Sequence, residues 1–307
     1  MKLCLFIEKY FWIFFITGLL LGLIYPVFND ILMSLLKPFL MLMLFLVFLK
    51  TDVSLIIKRM KNYRQITFLV LFLMVVMPLL FFGAINIFNR ELALGVLLLT
   101  AMPAAVASPA LTDIVKGNTA LSTSIVITTS IIAPFTVPLL FWIIQFKDIS
   151  VNPWWLFKDL VVIIILPVMA SQTIKRYLSG TIKRNAHIFT SVNIIILSLM
   201  VYAVMGSQRN VIVSEPIKIL WQIGFLYLVF ILLHVFGFFM GFTEDKKGKI
   251  ATTIGTAYRN NGMAIVLAAL YFEPSILILM VLSELPWNTL LIPFKQFVQL
   301  QQTKQSY

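Results

Sequence analysis

Arg259, Asn260 and Asn261 stand consecutively inside an otherwise apolar run over residues 250–272. A guanidinium held at mid-membrane costs at least about 2.5–3.5 kcal/mol. Arg259 sits too far from either end of its run to reach water, so it requires a negative partner. Three candidates are visible: Glu284, near the middle of the run over 274–294; Asp113, at the end of the run over 91–115; or a bound anionic solute. Glu284 is the first choice for an internal partner, with Asn288 one turn further along the same face.

A second constellation lies in the run over 91–115, where Pro103-Ala-Ala-Val-Ala-Ser-Pro109 interrupts the helix-forming pattern. Each proline removes a backbone donor and clashes with the preceding turn. Unwound backbone at that depth survives where it is buried in protein or lines a wet cavity, and there it can coordinate an ion or a solute. Ser108, Thr112 and Asp113 add side-chain oxygens around the break. Prolines can also merely kink a membrane helix. The matching polar interruption Gly255-Thr-Ala-Tyr-Arg-Asn-Asn-Gly262 in a later run favours the functional alternative.

The run over 118–144 places Asn118, Ser122 and Thr129 on one face, with Ser124 and Thr128 on a neighbouring strip. Such a row suits a hard cation such as sodium or the polar lining of a solute path. Small hydroxyls also hydrogen-bond one membrane helix to another, which is the plainer role for any one of them. His234 is a candidate proton carrier because an imidazole titrates near neutral pH, and Glu284 is a second. Lys37, beside Pro38, is placed to snorkel to an interface. Trp154 and Trp155 read as interfacial anchors.

The elements that must position these groups follow from bulk composition. Of 307 residues, 61% are hydrophobic and 12% charged, which makes a bilayer the natural solvent. Ten stretches are long and apolar enough to cross it: 10–28, 31–49, 66–88, 91–115, 118–144, 155–174, 188–206, 219–241, 250–272 and 274–294. Their continuity excludes the alternating pattern of a barrel, leaving an all-α integral membrane protein. The stretch from Tyr10 to Phe28 exceeds a signal-peptide core and is expected to remain as the first span.

Seventeen of the 24 basic residues fall on one set of loops; Arg90, Lys147, Lys158, Arg209 and Lys218 fall on the other, and Lys37 and Arg259 lie inside runs. The positive-inside rule then places both termini in the cytoplasm, of a multi-pass protein in a plasma membrane of the bacterial inner-membrane kind. The net charge of +12 is spread over these short loops and forms no contiguous basic face, so no nucleic-acid partner is expected. The expected partners are lipid and a small anionic solute; oligomeric state is left open. Cys4 is the lone cysteine, which excludes an intramolecular disulfide and a cysteine metal cluster. Two distant histidines and no paired carboxylates within a run argue against an intramembrane enzyme.

Ten spans divide into five and five near residues 147 and 148. An odd number per half inserts the halves with opposite orientation, the arithmetic of an inverted repeat. The reading is therefore a secondary transporter with no catalytic residues and no cofactor beyond a coupling sodium ion or proton. A channel is the alternative of another class.

The stretch from Ala107 to Ser122, followed by Ala133-Pro134 and joined with Arg259-Asn-Asn-Gly262, resembles the bile acid:sodium symporter family. The resemblance implies two inverted five-helix repeats, 1–147 and 148–307. It also implies a panel domain from helices 1, 2, 6 and 7, and a core domain from helices 3–5 and 8–10 in which helices 4 and 9 are interrupted and cross. Ser108, Asn118, Ser122, Asn260 and Gly262 match positions of the family's sodium sites, and no other metal is implied. The departures are Pro109 for an Asn, Gly255 for a Glu and Arg259 for a Gln. A guanidinium offers donors only and repels a sodium ion, so Arg259 is expected to stand functionally in place of one coupling ion. Coupling then passes to a proton on Glu284 or His234, or to solute exchange. The family's arsenite-exporter branch relies on a membrane-embedded cysteine, and Cys4 lies outside the expected pathway.

Overall fold

The computed structural model describes residues 2–51, 63–144, 152–241 and 244–303. Every regular element among them is helical, and the one β-bridge among them is an isolated antiparallel pairing of Ala104 with Arg259. Among the described residues, five helices are long and apolar enough to cross a hydrocarbon core: Ile66–Asn86, Thr119–Ile143, Pro153–Ser207, Pro216–Met240 and Pro274–Leu300. The bent pair Leu3–Lys9 and Phe11–Ile24 makes a sixth if taken as one span.

The runs expected at 91–115 and 250–272 are each divided. Arg90–Ala101 is separated from Ser108–Ile114, and Lys246–Ala257 from Asn261–Tyr271. Neither half is long enough to span alone, since a crossing needs roughly 20 helical residues. In the opposite sense, Pro153–Ser207 is one run of 55 residues, about 80 Å if straight. It turns at Leu178, whose φ of −122° and ψ of 27° break the helix without a proline or glycine.

The chain forms two compact units. The first comprises Met1–Arg59, Ile131–Ile217 and Gly262–Val281. In it, Leu36–Lys50 buries Leu36, Leu40, Leu44 and Phe48, a stripe four residues apart that packs on Pro153–Ser207. Phe11–Ile24 packs on the same long run through Gly18 and Gly22; a Cβ at either would lie 2.5 Å from a carbonyl oxygen, of Ser198 or Tyr202. This is the close backbone approach that Gly-x-x-x-Gly spacing permits. Tyr202 then donates its hydroxyl to Tyr25 O at 2.7 Å, and Arg209 Nε donates to Leu23 O at 2.6 Å. Both satisfy carbonyls that the end of Phe11–Ile24 leaves open.

Lys37 does not simply reach for an interface. Its ammonium lies 2.7 Å from Asp159 Oδ1, and Tyr271 donates its hydroxyl to Asp159 Oδ2 at 2.8 Å. The Lys158 ammonium lies over both the Trp154 and Trp155 rings, 5.0 and 4.7 Å from their centroids.

The second unit comprises Met60–Ser130, Lys218–Asn261 and Leu282–Tyr307. Arg90–Ala101 is buried continuously from Leu92 to Ala101, and Lys246–Ala257 from Ile250 to Ala257. A helix enclosed on all sides needs no polar face. The second of these lies against Gly237 and Gly241, where the nearest atoms belong to Thr252, Thr253, Thr256 and Lys249. In contrast, Leu20, Leu80, Leu228 and Phe239 are exposed large apolar side chains, as a lipid solvent permits.

Candidate functional site

The two breaks meet in the second unit and satisfy each other through the main chain. Asn260 N–H donates to Pro103 O at 2.9 Å, and Ala105 N–H donates to Tyr258 O at 2.8 Å. Another donor of the first break, Ala104 N–H, is taken by Thr129 Oγ1 at 3.1 Å, while the Thr129 hydroxyl donates to Ile125 O at 2.7 Å. On the other strand, Arg259 O accepts from Trp287 Nε1 at 3.0 Å and from Asn261 N–H at 2.9 Å. Buried polar backbone must be paired, and here the pairing fixes where the breaks meet.

Arg259 is fully buried. The ion pair with Glu284 expected from the sequence does not form, nor one with Asp113. Nη1 donates instead to Met102 O at 3.3 Å and Nη2 to Leu73 O at 3.2 Å, with Met77 Sδ 3.8 Å from Nη2. Among the described residues no carboxylate lies within 4.0 Å of this guanidinium. The negative partner is main chain.

Both acceptors have local causes. Proline disfavours the α region for the residue before it. Accordingly Met102, preceding Pro103, has φ −64° and ψ 150°, which turns its carbonyl out of the helix direction. Leu73 lies in a π-helical turn, Phe72–Val76, in which Met77 N–H donates five residues back to Phe72 O. The next donor in that register would be residue 78, which is proline and has no N–H, so Leu73 O is left for Arg259. Pro78 was the one sequence signal for this contact, and only in retrospect; the helical run over 66–88 gave no reason to connect it with Arg259.

Glu284 is buried at 2% exposure and accepts from Asn288 Nδ2 at 3.0 Å, one turn on as expected. No described cation lies within 4.0 Å of its carboxylate. Asn261 Nδ2 donates to Ser283 Oγ at 2.9 Å, while its Oδ1 is buried without a partner. The hydroxyls of Ser108, Thr112 and Ser122 are likewise buried and unpartnered. Asn118 Oδ1 accepts from Leu121 N–H at 3.1 Å, opening the helix Thr119–Ile143. Asp113 lies at the exposed end of Ser108–Ile114.

At Gly255, where the resemblance places a glutamate, a Cβ would stand 3.0 Å from Ile125 Cγ2. Methyl groups therefore occupy the approach to that position. His234 bonds Phe230 O through Nδ1 at 2.7 Å, and its ring lies edge-on to Tyr258, 5.4 Å between centroids. Tyr258 in turn meets Trp287 at 5.4 Å. Trp287, Tyr258 and Ile125 are contributors that sequence reasoning did not single out, because aromatic and branched residues in apolar runs are indistinguishable from lipid-facing ones.

Residues 37–215 match the sequence pattern of the sodium bile acid symporter family. The match takes in the first break and ends before the second. The uncharacterized sodium-dependent transporter YocS of Bacillus subtilis (strain 168) is 28% identical over 209 residues, covering 65% of this chain and 62% of that protein. The probable chloroplastic sodium/metabolite cotransporter BASS1 of Oryza sativa subsp. japonica is 22% identical over 205 residues, 64% of this chain and 49% of the relative. The probable chloroplastic sodium/metabolite cotransporter BASS4 of Arabidopsis thaliana is 27% identical over 155 residues, 48% of this chain and 34% of its own length. The alignments thus span between a third and five-eighths of these curated relatives.

Proposed function

The chain belongs to the sodium bile acid symporter family, and on that premise we propose that it is a secondary transporter carrying a small organic anion by alternating access. The observation that carries the reading is the main-chain pairing of two helix breaks beside a buried fixed cation. Half-helix ends and unwound backbone near the bilayer midplane are how transporters of this general build hold solutes and ions. Ser108, Thr112, Ser122 and Asn261 surround the breaks in sequence and carry buried oxygens with no protein partner, available to a solute. Arg259 is the reason to expect that solute to be an anion.

In this reading ten spans form inverted repeats over 1–147 and 148–307. The membrane is a plasma membrane, with both termini cytoplasmic. Sodium coupling is not carried over from the relatives' names, because Gly255 and Arg259 supply no ligand where the family pattern has two. A proton on Glu284 or His234, or exchange of one anion for another, takes its place. His234 contributes through an Nε2 atom that is buried without a partner.

Purified protein in proteoliposomes tests this with a panel of labelled organic anions. Saturable uptake and counterflow, driven more by a pH gradient or by internal anion than by a sodium gradient, are expected. Non-saturating flux would indicate a channel, and strict sodium dependence would refute the coupling.

A further inference from the structure

We infer that Arg259 is a permanently tethered replacement for a coupling cation, seated in a carbonyl cradle that owes its two acceptors to Pro78 and Pro103. The inference rests on the transport reading above and adds to it the identity and origin of the receptor.

The cradle has the chemistry of a cation site. Its acceptors are the main-chain oxygens of Leu73 and Met102, with the Met77 thioether beside them. Carbonyl oxygens freed by broken helices are the groups that coordinate alkali cations in membrane proteins. Here two nitrogens of one side chain take those places at 3.2 and 3.3 Å.

The charge is met by main-chain carbonyls, with no carboxylate within 4.0 Å among the described residues. Met102 follows directly on Ala101, the last residue of Arg90–Ala101, and Arg259 lies two residues beyond Ala257, the last residue of Lys246–Ala257. The guanidinium therefore meets the C-terminal end of Arg90–Ala101 through Met102 O, and a second carbonyl, Leu73 O, within Ile66–Asn86. A helix C-terminus is equivalent to about half a negative charge, and it offsets part of the positive charge. A free sodium ion would meet the same field, but it would share it with an immovable cation that has no lone pair to offer.

The neighbouring position is closed as well. The resemblance places a carboxylate at 255, but Gly255 supplies none, and Ile125 Cγ2 lies 3.0 Å from where its Cβ would be. The unpartnered hydroxyls of Ser108, Thr112 and Ser122 are neutral. They can bind a polar solute without supplying the negative charge that a cation beside Arg259 would need.

Emptying the cradle should let a free cation in. Wild type and Arg259→Ala in detergent are melted at constant ionic strength in choline, sodium or low-millimolar guanidinium chloride, a range far below denaturing concentrations. Wild type is expected to melt at the same temperature in all three. Arg259→Ala is expected to melt lower in choline and to recover saturably with guanidinium or sodium. A sodium-specific rise in wild type overturns the inference, as does an Arg259→Ala protein that responds to no cation.

Should the alanine variant not fold, Arg259→Gln keeps the length and polarity and is judged by the same responses. Pro78→Ala tests the cradle with the cation in place. Replacing an intrahelical proline ordinarily stabilises. Here the new N–H competes for Leu73 O, so a lower melting temperature is expected, and an unchanged or higher one overturns the inference. Anion counterflow on wild type is measured separately. Its absence would refute the transport reading while leaving the cation responses as they stand.

Discussion

Thr129→Val removes a hydroxyl and nothing else of consequence, because the two side chains have nearly the same shape. Thr129 and Ala104 are both fully buried, and the Thr129 oxygen accepts from Ala104 N–H at 3.1 Å. With valine in place, that N–H loses its acceptor in a position shut off from solvent. Leaving a buried donor unsatisfied costs about 1–3 kcal/mol. The bond that the Thr129 hydroxyl itself donates, to Ile125 O at 2.7 Å, matters less, since such back-bonding adds little to a helix. Thr129→Ser keeps the oxygen and loses one methyl, about 0.8 kcal/mol. Equilibrium unfolding in mixed micelles should therefore rank wild type above Thr129→Ser, and Thr129→Ser above Thr129→Val. A valine variant within about 0.3 kcal/mol of wild type, well short of the cost of an orphaned donor, or a serine variant as poor as valine, would show that Thr129 does not hold the first break.

Further changes test packing within each of the two units. Gly255→Glu should lower thermal stability markedly because its side chain meets the Ile125 methyls, and Ile125→Ala in the same protein should recover part of the loss; a well-tolerated Gly255→Glu would mean that position is open. Gly18→Leu should separate Phe11–Ile24 from the second limb of Pro153–Ser207 and lower the melting temperature. Gly83→Ala, with nothing within 4 Å of its added Cβ, should be neutral or gain up to about 1 kcal/mol from helix propensity.

The all-helical, apolar character of the chain and its two helix breaks were legible in the sequence for physical reasons. A bilayer imposes a minimum length on any apolar helix, and prolines at 103 and 109 mark where a helix cannot continue. Arg259 was legible as a problem because a charge in a 23-residue apolar run has to be answered. Its solution was not legible. The sequence pointed to Glu284 because side-chain charges are visible in a sequence, whereas the actual acceptors are main-chain oxygens, which every residue possesses. Only their release from helix bonding distinguishes Leu73 and Met102. For Leu73 that release depends on a π-helical register set one residue before Pro78, which no pattern of apolar residues encodes. The bend at Leu178 was hidden for a related reason. The expected loop between 174 and 188 stays helical except at one residue, which is neither proline nor glycine.

The crossing of the breaks has a consequence for how such proteins diverge. Ala104 and Arg259 are joined through peptide groups, and a peptide group is the same whichever side chain it bears. Side chains at and around these positions can therefore change without untying the pairing itself. The scaffold is inherited through the main chain, and the chemistry performed on it is left free to drift from one descendant to the next.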